Sequence, residues 1–210
     1  METTQNIDDT TPREILSKFY SDNHLEQDGG NSLSFVKIEV SPKFHFYFPN
    51  FDSRREAVIK HDIHHILTRY NTTLKGESEI SMWEIASGCK KYKAAFLINT
   101  SGAMLGFLIN YWGILKAFAR GRRTKSLYYD MVSTEQALDM KVGELRHQLL
   151  LDEHPMDTKP TFIDFILFNL FALYGFFYSV ALLIFLPFIA FYSIYIELKI
   201  RLTHKPVTIE

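Results

Sequence analysis

The sequence predicts a mainly α protein: a helical bundle with a short N-terminal β-hairpin and a C-terminal hydrophobic membrane hairpin. Three observations carry that expectation. Apolar residues recur at helical spacing from residue 52 onward. A strictly alternating stretch precedes them, and residues 165–196, "FILFNLFALYGFFYSVALLIFLPFIAFYSIYI", hold no formal charge. The 210 residues suffice for one sizeable core. They divide into a flexible N-terminal tail (1–33), a metal-binding helical domain (34–158) and a membrane-associated hydrophobic segment (159–205).

The tail opens "METTQNIDDTTPREIL", acidic and polar, without the apolar core of a signal peptide, and ends in the flexible "DGGNS". Next, Val36, Ile38 and Val40 alternate with polar residues, as do Phe44, Phe46 and Phe48, with Ser41-Pro42-Lys43 between the runs. This pattern reads as a hairpin with one buried face, and His45 falls on the opposite, solvated side. From Asp52 the period becomes helical. Asp52 or Ser53 caps the helix, with Glu56 in its first turns, and Ala57, Ile59, Ile63, Ile66 and Leu67 form a core stripe. "NTTLKGE" breaks that helix, and a second runs from about Gly76 to Ser87, stopping at Gly88.

Residues 94–115 are uncharged, but Asn99, Thr100, Ser101 and Asn110 are poor lipid-facing residues and both flanks are basic. The stretch therefore reads as a buried central helix, and Gly102 and Gly106 allow another helix to approach closely. That face also permits a homodimer. An amphipathic helix is expected from Val142.

The 165–196 run is too short for two full spans. A single span would place Lys199, Arg201 and Lys205 across the membrane from a cytoplasmic body, against the usual charge bias. A bent hairpin turning near Gly175 or Pro187 enters and leaves on one side, so the protein is expected at the cytoplasmic face of a membrane.

The net charge of −1 gives no field for nucleic acid. With Cys89 as the single cysteine there is no intramolecular disulfide and no thiolate-rich metal site, so any metal takes nitrogen and oxygen ligands. "KHDIHHILTRYNTTLKGE", residues 60–77, offers such a set. On a helix His61 and His65 stand one turn apart, roughly 40° around the axis, with Asp62 on the flank of the same arc. Glu77 can close the site from the start of the next helix. His64 projects to the other side and has at most a supporting role. Two histidines and two carboxylates suit a divalent metal, zinc first, with iron or manganese also compatible.

The spacing His61-Asp62-x-x-His65-x11-Glu77 resembles the signature of the ubiquinone (coenzyme Q) biosynthesis protein four family. The surrounding "YFPNFDSRREAVIKHDIHHIL", "TTLKGESEISMWEIASGC", "ARGRRTKSLYYD" and "ELRHQL" are similar too, in order over roughly residues 44–150. The resemblance implies a mostly helical, metal-binding, membrane-associated protein, with His61, Asp62, His65 and Glu77 as its ligands. It further implies oxidative decarboxylation of a polyprenylated hydroxybenzoate, with a role in organising a quinone-biosynthesis complex. The alternative is a non-catalytic lipid-binding scaffold. Expected partners are a prenylated quinone precursor or other long-chain lipid, the membrane, and other quinone-biosynthesis proteins. The chain departs from the family pattern at Arg69, where the family has glycine, and in the added apolar segment.

The basic run Arg120, Arg122, Arg123 and Lys125, with Lys116 before it, reads either as a lipid-headgroup contact or as a solvated helix end. Trp83 is expected in the core and Glu84 on the surface. Cys89 reads as a buried small apolar residue, and Tyr128 and Tyr129 as interfacial anchors or packing.

Overall fold

The computed structural model describes residues 6–22, 34–41, 44–89 and 91–203. Among them the chain is mainly helical. Helices α1 (Pro12–Asp22), α2 (Asp52–Thr68), α3 (Leu74–Ser87), α4 (Lys93–Ile109), α5 (Tyr111–Gly121), α6 (Thr134–Asp139), α7 (Val142–Gln148) and α8 (Phe162–Thr203) follow one another in the chain. Strands β1 (Phe35–Ser41) and β2 (Phe44–Pro49) pair antiparallel between α1 and α2. The expected turn residues Pro42 and Lys43 lie outside the described residues, as do the side chains of the alternating run and of His45.

The expectation of a flexible tail over residues 1–33 fails for Pro12–Asp22. "TPRE" is a reciprocal cap: the Glu14 N–H donates to Thr11 Oγ1 at 3.3 Å, and the Thr11 N–H donates to Glu14 Oε2 at 3.2 Å. Pro12 occupies the first helical position, where its missing N–H costs nothing. Leu16 and Tyr20, one turn apart, are both buried and dock α1 onto α2 and α6.

Helix α3 is the centre of the bundle, with α4 and α5 packed against it. Ile80, Met82 and Trp83 are fully buried, and each contributes about 1.5–3 kcal/mol through lost water contact. A stripe of small or polar residues, Ser78, Ser81, Glu84 and Ser87, is buried as well. Small side chains there let α4 come close. A methyl group on Gly106 would lie 2.8 Å from Ser78 Cβ, and one on Gly102 would lie 2.5 Å from Ser81 Oγ. The face read as permitting a dimer is thus taken up by α3 within the same chain.

Residues 94–115 are not a single buried helix. Asn110 leaves helical geometry (φ −154°, ψ 45°) and separates α4 from α5. Only one face of α4 is covered, through Ala95, Asn99, Thr100, Ala103 and Gly106; Leu97, Ile98, Leu105 and Leu108 are exposed.

The C-terminal hairpin is also corrected. Helix α8 runs uninterrupted for 42 residues, roughly 63 Å. Gly175 does not turn the chain; it accommodates Met104, whose Sδ would lie 2.2 Å from an added Cβ. Pro187 sits inside the helix, where a proline removes one backbone hydrogen bond without requiring a break in apolar surroundings. By length and composition Phe162–Ile200 is apolar enough to cross a membrane.

The basic run is largely structural. Arg120 is 1% exposed and donates to the carbonyls of His154 (2.8 Å) and Thr68 (2.9 Å). Arg122 and Arg123 both pair with the buried Asp164 of α8. Lys125 is exposed.

Arg69 does not crowd the histidine face. It caps α2 in the left-handed region (φ 66°, ψ 17°), with its side chain exposed beside Asp8. Such a cap favours glycine, because a Cβ there costs roughly 1 kcal/mol. Arg69→Gly is therefore expected to stabilise the protein by about 0.5–1 kcal/mol, read as a higher denaturation midpoint. A lower midpoint would show that the exposed Arg69–Asp8 pair outweighs the backbone strain.

Candidate metal centre

Helix α2 carries His61 and His65 one turn apart, and the first turn of α3 brings Glu77 opposite them. Glu77 is placed by its cap. Thr73 accepts from the Gly76 N–H, and Gly76 lies tight against Asn71, where a Cβ would fall 2.0 Å from the Asn71 carbonyl oxygen. The donor atoms form a small triangle. His61 Nε2 and His65 Nε2 are 3.2 Å apart, His65 Nε2 is 3.2 Å from Glu77 Oε1, and His61 Nε2 is 3.5 Å from Glu77 Oε2. Tetrahedral coordination with zinc–nitrogen bonds of about 2.0–2.1 Å puts neighbouring donors about 3.3 Å apart. The triangle has that size.

The hydrogen bonds on the far side of each ring fix which nitrogen faces the triangle. His65 Nδ1 lies 2.9 Å from the Tyr70 carbonyl, which only accepts, so Nδ1 carries the proton. His61 Nδ1 lies 3.0 Å from Glu84 Oε1 and donates to it likewise. Both Nε2 atoms therefore turn lone pairs toward each other and toward a carboxylate. Such an arrangement is repulsive without a cation between them, either a metal ion or a proton. His61, His65 and Glu77 are the group among the described residues able to hold a metal ion, their donor atoms all lying within 4.8 Å of one another.

Asp62, expected as a fourth ligand, stands outside that group. Its Oδ2 accepts from the Tyr20 hydroxyl of α1, and burial pushes its carboxyl up despite that bond. Tyr20 lies in the stretch read as flexible, so its role had no sequence signal beyond the cap.

Glu84 is the larger surprise. Expected on the surface, it is fully buried and joins the whole site. Its Oε1 accepts from His61 and, at 2.6 Å, from His64 Nδ1. Its Oε2 accepts from Asn99 and, at 3.3 Å, from Tyr128. His64 is held in one tautomer because the Leu127 N–H donates to its Nε2 at 2.9 Å. Burial keeps His64 neutral, its pKa lowered in spite of Glu84. Burial likewise opposes ionisation of Glu84, but the charge of His61 and hydrogen bonds from His61 and His64 hold its carboxyl well below the usual range. A carboxylate behind a ligating imidazole orients the ring and strengthens it as a donor. Trp83 is in the core as expected, its Nε1–H donating to Thr124 Oγ1 at 2.9 Å. Cys89 and Tyr128 are buried, and Tyr129 is exposed.

No family model, curated protein or solved structure matches the chain. The reading of the site thus rests on its own geometry.

Protons and metal compete for this triangle. Burial opposes a charge on His61, but Glu84 and Glu77 overcome it and raise the His61 pKa well above its ordinary value. Burial also opposes ionisation of Glu77, yet hydrogen bonds from His61 and His65 hold it at about 2. Stability from ionised Glu77 is present above its ordinary value of 4.5 and is lost as pH falls toward about 2. Stability from protonated His61 is present below 6.5 and is lost as pH rises through its raised folded value. Since binding must displace that proton, zinc affinity is expected to climb steadily with pH through the neutral range. Competition titration against a chromophoric chelator measures it, and a flat profile would contradict the assignment of the proton to His61.

Proposed function

We propose that this chain is a membrane-associated, metal-dependent protein of ubiquinone biosynthesis that acts in the oxidative decarboxylation of a polyprenylated hydroxybenzoate. The observation that carries the metal is the donor triangle, in which two lone pairs and a carboxylate converge at coordination spacing. Two histidines and one carboxylate leave positions for substrate or water, the pattern of catalytic zinc and of non-haem iron. The site is within reach of solvent, with the side chains of His61 and Glu77 25% and 40% exposed. The substrate class comes from the motif resemblance, and the apolar α8 suits a substrate that lives in a bilayer.

A divalent ion bound here supplies Lewis acidity toward the phenol and carboxylate oxygens of such a ring. His61 and His65 offer Nε2, Glu77 balances the charge, and Glu84 keeps His61 aimed. Asp62, with its pKa raised by burial, is the neighbouring carboxyl able to take a proton. A scaffold reading draws on one observation of its own: the donors come from both α2 and α3, so a metal also fastens those helices together.

The test is deletion of the gene in its own host, complemented with wild type or His65→Ala, followed by profiling of quinone intermediates. Accumulation of a prenylated precursor still bearing its ring carboxylate, reversed by wild type alone, is the expected result. Loss of quinone without that precursor would favour the scaffold, and unchanged quinones would overturn both readings.

A further inference from the structure

Helix α8 touches the rest of the chain through its first half and again near its end. Asp164 and Phe168 are fully buried near its start, and Ser193 and Ile196 are buried near its end. From Asp164 to Ile196 the axis advances roughly 48 Å, more than the ~30 Å hydrocarbon core of a bilayer. Both ends of this length are tied to the folded body. Arg122 and Arg123 hold Asp164, while the Tyr47 N–H of β2 donates to Ser193 Oγ at 3.1 Å. Between these points α4 runs antiparallel beside α8. Phe107 meets Phe168 with ring centroids 4.7 Å apart, and the Tyr178 hydroxyl donates to the Leu97 carbonyl at 3.0 Å.

That attachment is incompatible with α8 standing upright in a membrane. Directly behind the covered face of α4 lie Asn99 and the buried Glu84 with its two imidazoles. An upright α8 would carry those groups, and the β1–β2 pair, to hydrocarbon depth, where an open sheet edge and ionised clusters are strongly disfavoured.

We propose that α8 lies in the plane of a bilayer as a monotopic anchor. Its lipid-facing surface continues onto the outer face of α4 and the start of α5, and both its ends stay on the side of the folded body. The inference rests on the membrane association proposed above and specifies its geometry. Lipid, rather than a second copy, fits the surface for two reasons. Away from its contact stripe α8 exposes large apolar side chains on every side, Phe176, Phe177, Leu183 and Ile184 among them, and Leu105, Leu108 and Trp112 extend that surface onto α4 and α5. Exposed lysines border it at both margins, Lys91 and Lys93 at one and Lys116 at the other. A surface lying along anionic headgroups gains from charge at both margins, whereas a span gathers it at its cytoplasmic end.

The experiment uses the full chain in sealed membrane vesicles. Single cysteines are introduced by Glu153→Cys, Lys159→Cys or Leu202→Cys in a Cys89→Ala background and treated with a membrane-impermeant maleimide. All three positions are expected to react from the same side. If position 202 reacts only after detergent while 153 and 159 react in intact vesicles, α8 crosses the bilayer and the proposal falls, although membrane association stands. A wild-type measurement guards against a background that does not fold. Trp112 is 71% exposed and Trp83 is fully buried. In vesicles of phosphatidylcholine and phosphatidylglycerol, brominated acyl chains are expected to quench wild-type emission, and Trp112→Phe to abolish that quenching. Bound protein whose Trp112 is not quenched would remove α4 and α5 from the lipid surface. A chain that fails to float with vesicles and sediments as a discrete oligomer would assign the apolar face to a second copy and overturn the membrane reading itself.

Discussion

His65→Ala is expected to abolish metal binding and, with it, the thermal stabilisation that zinc confers on the wild-type protein. The reasoning begins with the triangle. Removing one imidazole leaves His61 and Glu77, two donors that cannot enclose an ion. A ligand present at a hundredfold its dissociation constant stabilises the folded state by about 2.7 kcal/mol. For a chain of this size that corresponds to a rise in melting temperature of about 5–10 °C, which the variant should lack. His147→Ala, at an exposed histidine of α7, is expected to keep the full shift. Differential scanning in detergent with and without zinc reads both variants. A His65→Ala protein that retains the shift would place the metal elsewhere.

The second large effect is expected at Glu84. Each of its oxygens accepts two hydrogen bonds, one from the two imidazoles and the other from Asn99 and Tyr128. Glutamine has nearly the same shape but carries two N–H donors in place of one acceptor oxygen. With its nitrogen toward the imidazoles donors face donors, and turned the other way the amide meets the Asn99 nitrogen, so an acceptor is lost in a fully buried site. Breaking one partner of a buried charged network typically costs about 3–5 kcal/mol. Loss of the carboxylate behind a ligating histidine typically lowers metal affinity about 10–100-fold. Glu84→Gln should therefore show both effects, measured by denaturant unfolding and by chelator competition. Unfolding with a wild-type midpoint would mean that the cluster is held by neutral groups, and the account of His61 given above would fail with it.

Much of the site could be read from spacing because helical geometry is local. His61 and His65 share a face at any four-residue interval, and "NTTLKG" supplies the break that lets Glu77 approach from a new helix. Glu84 was not legible. A lone glutamate in "MWEIAS" has the composition of a surface position, since carboxylates are rarely buried without partners. Its partners here come from α2, α4 and the loop before α6, and nothing in the sequence announces their meeting. The three-residue recurrence of Ser78, Ser81, Glu84 and Ser87 was the available sign, as it marks a face too narrow for large side chains.

The two misread segments have different causes. In the tail, acidity and the later "DGGNS" outweighed "TPRE", a short cap with an apolar stripe behind it. In α8, glycine and proline read as turn residues, a reading that holds for chains in water. Within a long apolar helix the backbone has no solvent to turn toward, so its remaining hydrogen bonds persist through Pro187. Asp62 illustrates a third limit. Its angular position on α2 was right, but Tyr20, about forty residues earlier in the chain, engages its carboxylate.

The way α8 is fastened bears on how a smaller, more tractable version of the molecule could be made. Cutting at the Lys159–Pro160 junction would leave Arg122 and Arg123 without the carboxylate they share. It would also uncover the rings of Phe107 and Phe118, on which Phe168 now rests. The truncated body would exchange one water-averse surface for another, so detergent belongs to this protein's handling whether or not the last helix is kept.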